Sequence, residues 1–203
     1  MKHLLRGTSC YLSGAIDADT SSGNWRLPVI ETLTKHFHVN VFDPYSDPKQ
    51  MKAKELHEAK EKNDFQTLAD IAKDFVRKDL HEVDKCDFLI ARIGYQDVYL
   101  PEDIEKCVIG VDEWGNNKVY PPKPRRMQIP TSGTIHEITN ANLQKRPPLI
   151  VCEDGKNKIP SWLYGFIKHK YMFGSFRELY EYLVEVDIGL CRDERWNYVY
   201  KLI

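Results

Sequence analysis

Apolar residues gather in four short runs along the chain: Ser9–Ser13, Val39–Phe42, Phe88–Ile93 and Leu149–Cys152. Runs of this length, bounded by polar residues, are what strands buried on both faces look like in sequence. Between them the period changes. Trp25–His36, the stretch from about Asp64 to Asp84, and Ser132–Gln144 place apolar residues three and four apart, the spacing of one helix face. Strand and helix therefore alternate. This predicts βαβ units in an α/β fold, with a doubly wound parallel sheet of about five strands and helices on both faces. The fifth strand is expected around Phe166–Met172. Ser175–Val186 predicts the last helix, with Leu179, Tyr182, Leu183 and Val186 on one face. The aromatic tail, 189–203, alternates apolar and polar residues. It reads as an extra strand, a partner contact or packing on its own domain.

One segment breaks the alternation. Residues 94–127 form an insertion with Val108-Ile109-Gly110-Val111 and Lys118-Val119-Tyr120 around Trp114-Gly115-Asn116-Asn117, a hairpin signature, and Pro121, Pro122 and Pro124 end it. An insertion after a central strand leaves the sheet where α/β folds bind ligands. A lid or specificity loop is one reading and a passive surface excursion the other. Its Tyr95, Tyr99, Trp114 and Tyr120 offer flat faces, and Arg125 and Arg126 offer charge. The highly charged stretch 47–63 is expected to be a solvated helix or loop.

Two acids stand out against this framework. Pro130-Thr131-Ser132-Gly133-Thr134-Ile135-His136-Glu137-Ile138 reads as a polar turn opening a helix. Such a turn leaves free N–H groups that suit phosphate or sugar hydroxyls. Glu137 lies one turn in, where the helix dipole favours the ionised form. An ionised carboxylate beside such a turn suits a glycosyl-transferring nucleophile; the competing reading is an exposed Glu on an ordinary surface helix. In the long helix, Asp79 falls on the line Ile71, Phe75, Asp79, Val83, away from Lys73, Lys78 and Lys85. An acid on an apolar stripe is costly unless paired, hydrogen-bonded or protonated, and so is a candidate general acid. Its alternative is a cap on a neighbouring loop.

Composition narrows the classes. The 203 residues suit one domain with a sizeable core, 1–203, carrying the 94–127 insertion and the 189–203 tail. A formal net charge of −1 argues against binding polymeric nucleic acid. Of five scattered cysteines, Cys10, Cys86 and Cys152 lie in or beside apolar runs and are expected to be buried thiols in a reducing compartment, while Cys107 and Cys191 complete the set. No metal site is expected, because His81-Glu82 and His136-Glu137 lack a second histidine at metalloprotease spacing. No dinucleotide or P-loop glycine motif is present. With no apolar stretch long enough for a signal peptide or a membrane span, the chain is expected to be soluble and cytoplasmic, with no membrane partner.

The candidate residues share one edge of the expected sheet. Tyr11, Ser13 and Gly14 end the first strand, Asp43 ends the second, and Glu137 follows the third, so all converge on the crevice where such sheets bind ligands. In order and spacing these pieces resemble the nucleoside 2-deoxyribosyltransferase family and its nucleotide N-glycosidase relatives. Cys10-Tyr11-Leu12-Ser13-Gly14-Ala15-Ile16 is similar to the opening strand and glycine turn. Asn24-Trp25-Arg26 is similar to a tryptophan element of one branch. Asp79, eight residues before Asp87 at the start of a strand, is similar to the family's acid-then-strand spacing. Ser132-Gly133-Thr134-Ile135-His136-Glu137-Ile138 is similar to its nucleophile motif. The resemblance covers roughly residues 8 to 185 outside the insertion.

What the resemblance implies is a flavodoxin- or Rossmann-like fold and a covalent mechanism without a cofactor. Glu137 attacks the anomeric carbon, Asp79 protonates the leaving base or holds its ring nitrogens, and Tyr11 orients Glu137. Gly14 lets the backbone approach the sugar, within a substrate-binding set of Ser13, Gly14, Ile16, Trp25, Asp43, Thr131, Ser132 and Gly133. In that set Thr131 or Ser132 binds a hydroxyl or phosphate, and Trp25 either stacks on a base or belongs to the core. The partners implied are a nucleoside or nucleotide and a nucleobase, in a homo-oligomer. Nucleotide-hydrolysing relatives carry an arginine just after the glycine turn; here Asp17 and Asp19 occupy that loop, and Arg26 is the substitute on offer. The expected activity is transfer of a 2-deoxyribosyl group between bases. The alternatives are hydrolysis of a (deoxy)nucleotide N-glycoside and a nucleotide sensor without turnover.

Overall fold

The computed structural model describes residues 3–15, 25–44, 50–98, 108–120, 124–129, 131–191 and 193–201. The chain divides into two compact units, Met1–Ile93 with Pro130–Ile203, and Gly94–Ile129. The larger unit is built on five parallel strands: β1 (Ser9–Ser13), β2 (Asn40–Phe42), β3 (Phe88–Arg92), β8 (Pro148–Val151) and β9 (Met172–Phe173). The smaller unit supplies β4 (Tyr95–Val98), β5 (Val108–Val111), β6 (Asn117–Tyr120) and β7 (Arg125–Gln128).

The large sheet runs β2-β1-β3-β8-β9, so the strand order reverses between β1 and β3. This is a doubly wound α/β sheet, and the reversal opens a crevice beyond the carboxyl ends of those two strands. Register places Tyr11 beside Phe42 on one side and Leu89 on the other. The central strands are buried on both faces: Leu12, Ile90, Ala91, Leu149, Ile150 and Val151 are all fully enclosed. That double burial is why these strands are continuous apolar runs in the sequence.

The helices follow from the crossovers. α1 (Arg26–His36) joins β1 to β2; α2 (Gln50–Glu61) and α3 (Phe65–Lys85) join β2 to β3. α4 (Ser132–Leu143) precedes β8. A short helix, α5 (Ser161–Tyr164), leads towards β9, and α6 (Phe176–Asp187) and α7 (Glu194–Lys201) follow it. Parallel crossovers are right-handed, so α1, which steps one way along the sheet, covers the face opposite α3 and α4, which step the other way. α3 lies against α4 and β1, and α4 covers β1, β3 and β8. Start signals are local. Asp64 caps α3 by accepting from the Thr67 N–H at 3.1 Å, and Ser175 caps α6 by accepting from Glu178 N–H at 3.2 Å. The charged stretch 47–63 contains α2, with Ala59 buried.

One expectation is corrected, and one open reading is decided. The fifth strand is two residues long, Met172–Phe173, and His169–Tyr171 before it is a 3-10 turn. Lys168, His169 and Lys170 are polar and sit at the surface, so only the apolar residues that follow join the sheet. The tail is not a strand: it carries α7, whose Trp196 and Val199, three apart, are both buried. Trp196 packs on Phe88 at 5.3 Å between centroids and donates from Nε1 to the Tyr182 hydroxyl at 2.8 Å. The tail thus packs on its own domain.

Among the described residues the smaller unit holds two antiparallel pairs, β4 with β7 and β5 with β6. The turn between β5 and β6 is the expected hairpin. Asp112 accepts from the N–H groups of Trp114 (3.0 Å) and Asn116 (2.9 Å), and Gly115 takes φ +82°, a left-handed conformation that favours glycine. The β4–β7 pair had no turn signal in the sequence. Tyr99, Cys107, Pro121 and Pro122 lie outside the described residues. Among the described residues no helix is long and apolar enough to cross a membrane.

Candidate functional site

Strand alternation sends Tyr11 and Ser13 to the same face of β1. Both are fully buried. That face is covered by α4, which presents Thr134, Ile138 and Ala141 to the sheet and Glu137 beside them, towards the carboxyl end of β1. The Tyr11 hydroxyl donates to Glu137 Oε1 at 2.8 Å, and the Ser13 hydroxyl donates to Glu137 Oε2. Each carboxylate oxygen therefore receives one hydroxyl from a single strand. Donors of this kind to a charged acceptor are short, strong and directional. Glu137 is the sixth residue of α4, beyond the first turn where the helix dipole acts. The two hydroxyls, more than the helix end, fix the carboxyl group.

Tyr11 is itself fixed. Its ring stacks on Phe42 with centroids 5.6 Å apart and planes 14° from parallel. Burial first, and then the fields of Glu137 and Asp79, push its phenol far above the usual tyrosine range. The phenol thus remains a hydrogen-bond donor at any working pH. Asp79, six residues before the last residue of α3, is the lesser of these two charges. Asp79 is half-buried, on the stripe whose Ile71 and Val83 are buried.

The turn after β1 is braced by a buried ion pair. Arg26 Nε lies 3.2 Å from Asp43 Oδ1, with both side chains almost fully enclosed, and Arg26 Nη2 donates to the Gly14 carbonyl at 2.9 Å. The guanidinium stands 4.7 Å from the centre of the Trp25 ring, which stacks on Phe176 at 5.6 Å. A Cβ at Gly14 would meet the Trp25 ring at 3.0 Å and Arg26 Nη2 at 3.2 Å, so this turn packs closely against both side chains.

These contacts bear on four expected roles. Trp25 is buried between Phe176 and Arg26, so it is core packing and not an open face for a base. Arg26 is engaged with Asp43 and Gly14 inside the protein and is not the expected substitute for a surface phosphate-binding arginine. Asp43 correspondingly braces Arg26. Ser13, expected among the substrate-binding residues, serves Glu137. At the start of α4, Thr131 is buried, whereas Ser132 and Gly133 are exposed, with open space beside Gly133. Ile16, Asp17, Asp19 and Asn24 lie outside the described residues. Phe42 and the Arg26–Asp43 pair were not anticipated in these roles. The signal for Phe42 is its register position beside Tyr11, visible only once the strands are paired.

Cys10, Cys86 and Cys152 are buried thiols, as expected, and with Cys191 they are free. Burial pushes the Cys86 thiol up to about 12 and the Cys10 thiol well above its ordinary value. Neither is a nucleophile near neutral pH. Comparison with protein-family models and with curated proteins gives no match for this chain.

Proposed function

We propose that this chain is an enzyme that cleaves the N-glycosidic bond of a (deoxy)nucleoside and transfers the 2-deoxyribosyl group to another nucleobase through a covalent ester on Glu137. One observation carries the reading: a carboxylate at the carboxyl edge of a doubly wound sheet has a hydroxyl donor on each of its oxygens. A surface glutamate needs no such support. A nucleophilic carboxylate needs its plane fixed and its charge kept, and a departing base needs a proton.

In the first half-reaction Glu137 forms a bond to the anomeric carbon. The N-glycosidic bond breaks, its electron pair leaves with the base, and Asp79 supplies the proton. In the second, an acceptor base attacks the same carbon and the ester bond breaks, returning its electron pair to Glu137. Water as acceptor gives hydrolysis instead. The burial of Arg26 in an ion pair favours a nucleoside over a 5′-phosphorylated substrate. The exposed first turn of α4, Ser132 and Gly133, suits sugar hydroxyls. The free cysteines fit a cytoplasmic location, and a homo-oligomer belongs to the same reading.

The test is incubation with a 2′-deoxynucleoside, with and without a second free base, followed by chromatography. A new deoxynucleoside formed only with the second base supports transfer. Free base formed equally without it points to hydrolysis. No base release from any nucleoside or nucleotide removes the enzyme reading and leaves the sensor.

A further inference from the structure

Glu137 is held by two hydroxyls, and they are not equivalent in chemistry. Tyr11 is a rigid phenol, locked by stacking on Phe42, that also feels Asp79. Ser13 is a small aliphatic hydroxyl, fully buried, at the last position of β1. It is followed by Gly14, whose carbonyl is tied to Arg26 and so to Asp43. Ser13 therefore donates to Oε2 from a backbone braced on the opposite side, where little movement is available.

A donor on a carboxylate has opposite effects in the two halves of a covalent mechanism. While Glu137 attacks, the hydrogen bond stabilises the starting anion and weakens it as a nucleophile. While Glu137 leaves the sugar, the same bond stabilises the charge that develops on the carboxylate. Both hydroxyls act in this way on release, and Ser13 is the one that can be removed without also taking away a ring packed on Phe42.

We propose that Ser13 is a positioning residue that acts through Glu137, fixing its second oxygen and promoting breakdown of the glycosyl–enzyme ester. This rests on the reaction proposed above and names the half-reaction that Ser13 governs. In that half-reaction the acceptor's nitrogen or oxygen bonds to the anomeric carbon, the ester C–O bond breaks, and its electron pair returns to the carboxylate beside the Ser13 hydroxyl. The acceptor's proton passes to Asp79, which gave its own to the departing base in the first half-reaction.

The experiment is rapid-quench base release from a 2′-deoxynucleoside, with intact-protein mass measurement, for the wild type, Ser13→Ala and Ser13→Thr. In Ser13→Ala the first turnover is expected to keep at least the wild-type rate. The steady state is expected to slow by roughly a hundredfold, the scale of losing one donor to a developing oxyanion. Protein heavier by one deoxyribosyl group should accumulate. Ser13→Thr keeps the hydroxyl and should restore the steady state. Equal slowing of both phases without adduct, or equal loss in the alanine and threonine variants, overturns the assignment. If the wild type releases no base at all, the proposed reaction falls and the release step with it. The hydrogen bond is then judged alone, by carbon-13 titration of the Glu137 carboxyl. Removing a donor to the charged form should move its midpoint to higher pH in Ser13→Ala and not in Ser13→Thr. An unmoved midpoint shows that Ser13 does not hold Glu137.

Discussion

At the residue scale, the behaviour of the site reduces to what each hydroxyl and carboxyl touches. Glu137→Ala removes the group that the proposed chemistry passes through. It is expected to lower base release by at least a thousandfold, as for other covalent nucleophiles. The same change leaves the buried Tyr11 and Ser13 hydroxyls without their acceptor, at a cost of about 1–3 kcal/mol each, so a thermal scan should show a lowered midpoint on a protein still folded at assay temperature; activity near that of wild type refutes the nucleophile. Asp79→Asn keeps the shape and removes the proton. Base release should fall by roughly 10² to 10⁴, with the smallest loss for substrates whose base leaves readily without protonation. An equal loss for good and poor leaving groups argues against the acid role. The buried thiols and phenols make a prediction on stability. Cys10, Cys86 and Tyr11 all titrate higher in the folded protein than in the unfolded chain, where thiols and phenols ionise near about 8.5 and 10. Their contribution is complete below those values. Above them the unfolded chain loses protons that the folded one keeps, and stability falls as pH rises. Urea unfolding at pH 8, 9, 10 and 11 should show a falling midpoint, with a shallower fall in a Cys10→Ala/Cys86→Ala variant; a midpoint independent of pH contradicts this account.

At the scale of elements, the site depends on how α1 and β2 brace the end of β1. Arg26 joins three elements through Asp43, the Gly14 carbonyl and the Trp25 ring. Removing one partner of a buried pair strands the other, which costs about 3–5 kcal/mol. Arg26→Ala is expected to destabilise by that amount in urea. Arg26→Met with Asp43→Leu, which leaves no charge behind, should recover much of the stability without recovering activity, because the Gly14 carbonyl loses its donor. Full recovery of both would show that the pair serves stability alone. The caps of α3 and α6 act more locally. They are readable as Asp64 and Ser175 three residues before Thr67 and Glu178, and each is worth about 1 kcal/mol.

At the scale of the whole molecule, the carboxy-terminal segment is part of the core of the larger unit. Trp196 is fully buried against Phe88 in the strand preceding the insertion, and its indole N–H meets Tyr182 on α6. Asp193, just before the helix, is buried. Burial opposes its charge, yet Lys170 and the Tyr171 hydroxyl hold its carboxyl below the ordinary range. Trp196→Ala should therefore cost about 3–5 kcal/mol, although it lies 59 positions beyond Glu137 in the chain. A loss below about 1 kcal/mol in chemical denaturation would place this helix outside the cooperative unit.

Sequence by itself determined the elements whose cause is local or periodic. Double burial makes β1, β3 and β8 apolar runs, helix period marks α3 and α6, and the glycine turn of the β5–β6 hairpin announces itself in four residues. The alternation of strands and helices was enough for the doubly wound sheet, and the spacing in β1 already placed Tyr11 and Ser13 on one face. Tertiary structure decided everything that depends on partners distant in the chain. The tail alternates like a strand, but a helix buries both Trp196 and Val199, and burial outweighs local propensity. The edge strand β9 is two residues long because Lys168, His169 and Lys170 stay at the surface and only Met172 and Phe173 pair with β8. Trp25 stood open between base stacking and the core, and Arg26 stood as a substitute phosphate-binding group, until Phe176 and Asp43, 151 and 17 positions away, were found against them. Ser13 became a donor to Glu137 across 124 residues, a contact that no local pattern encodes, because hydrogen-bond partners are chosen by packing and not by spacing.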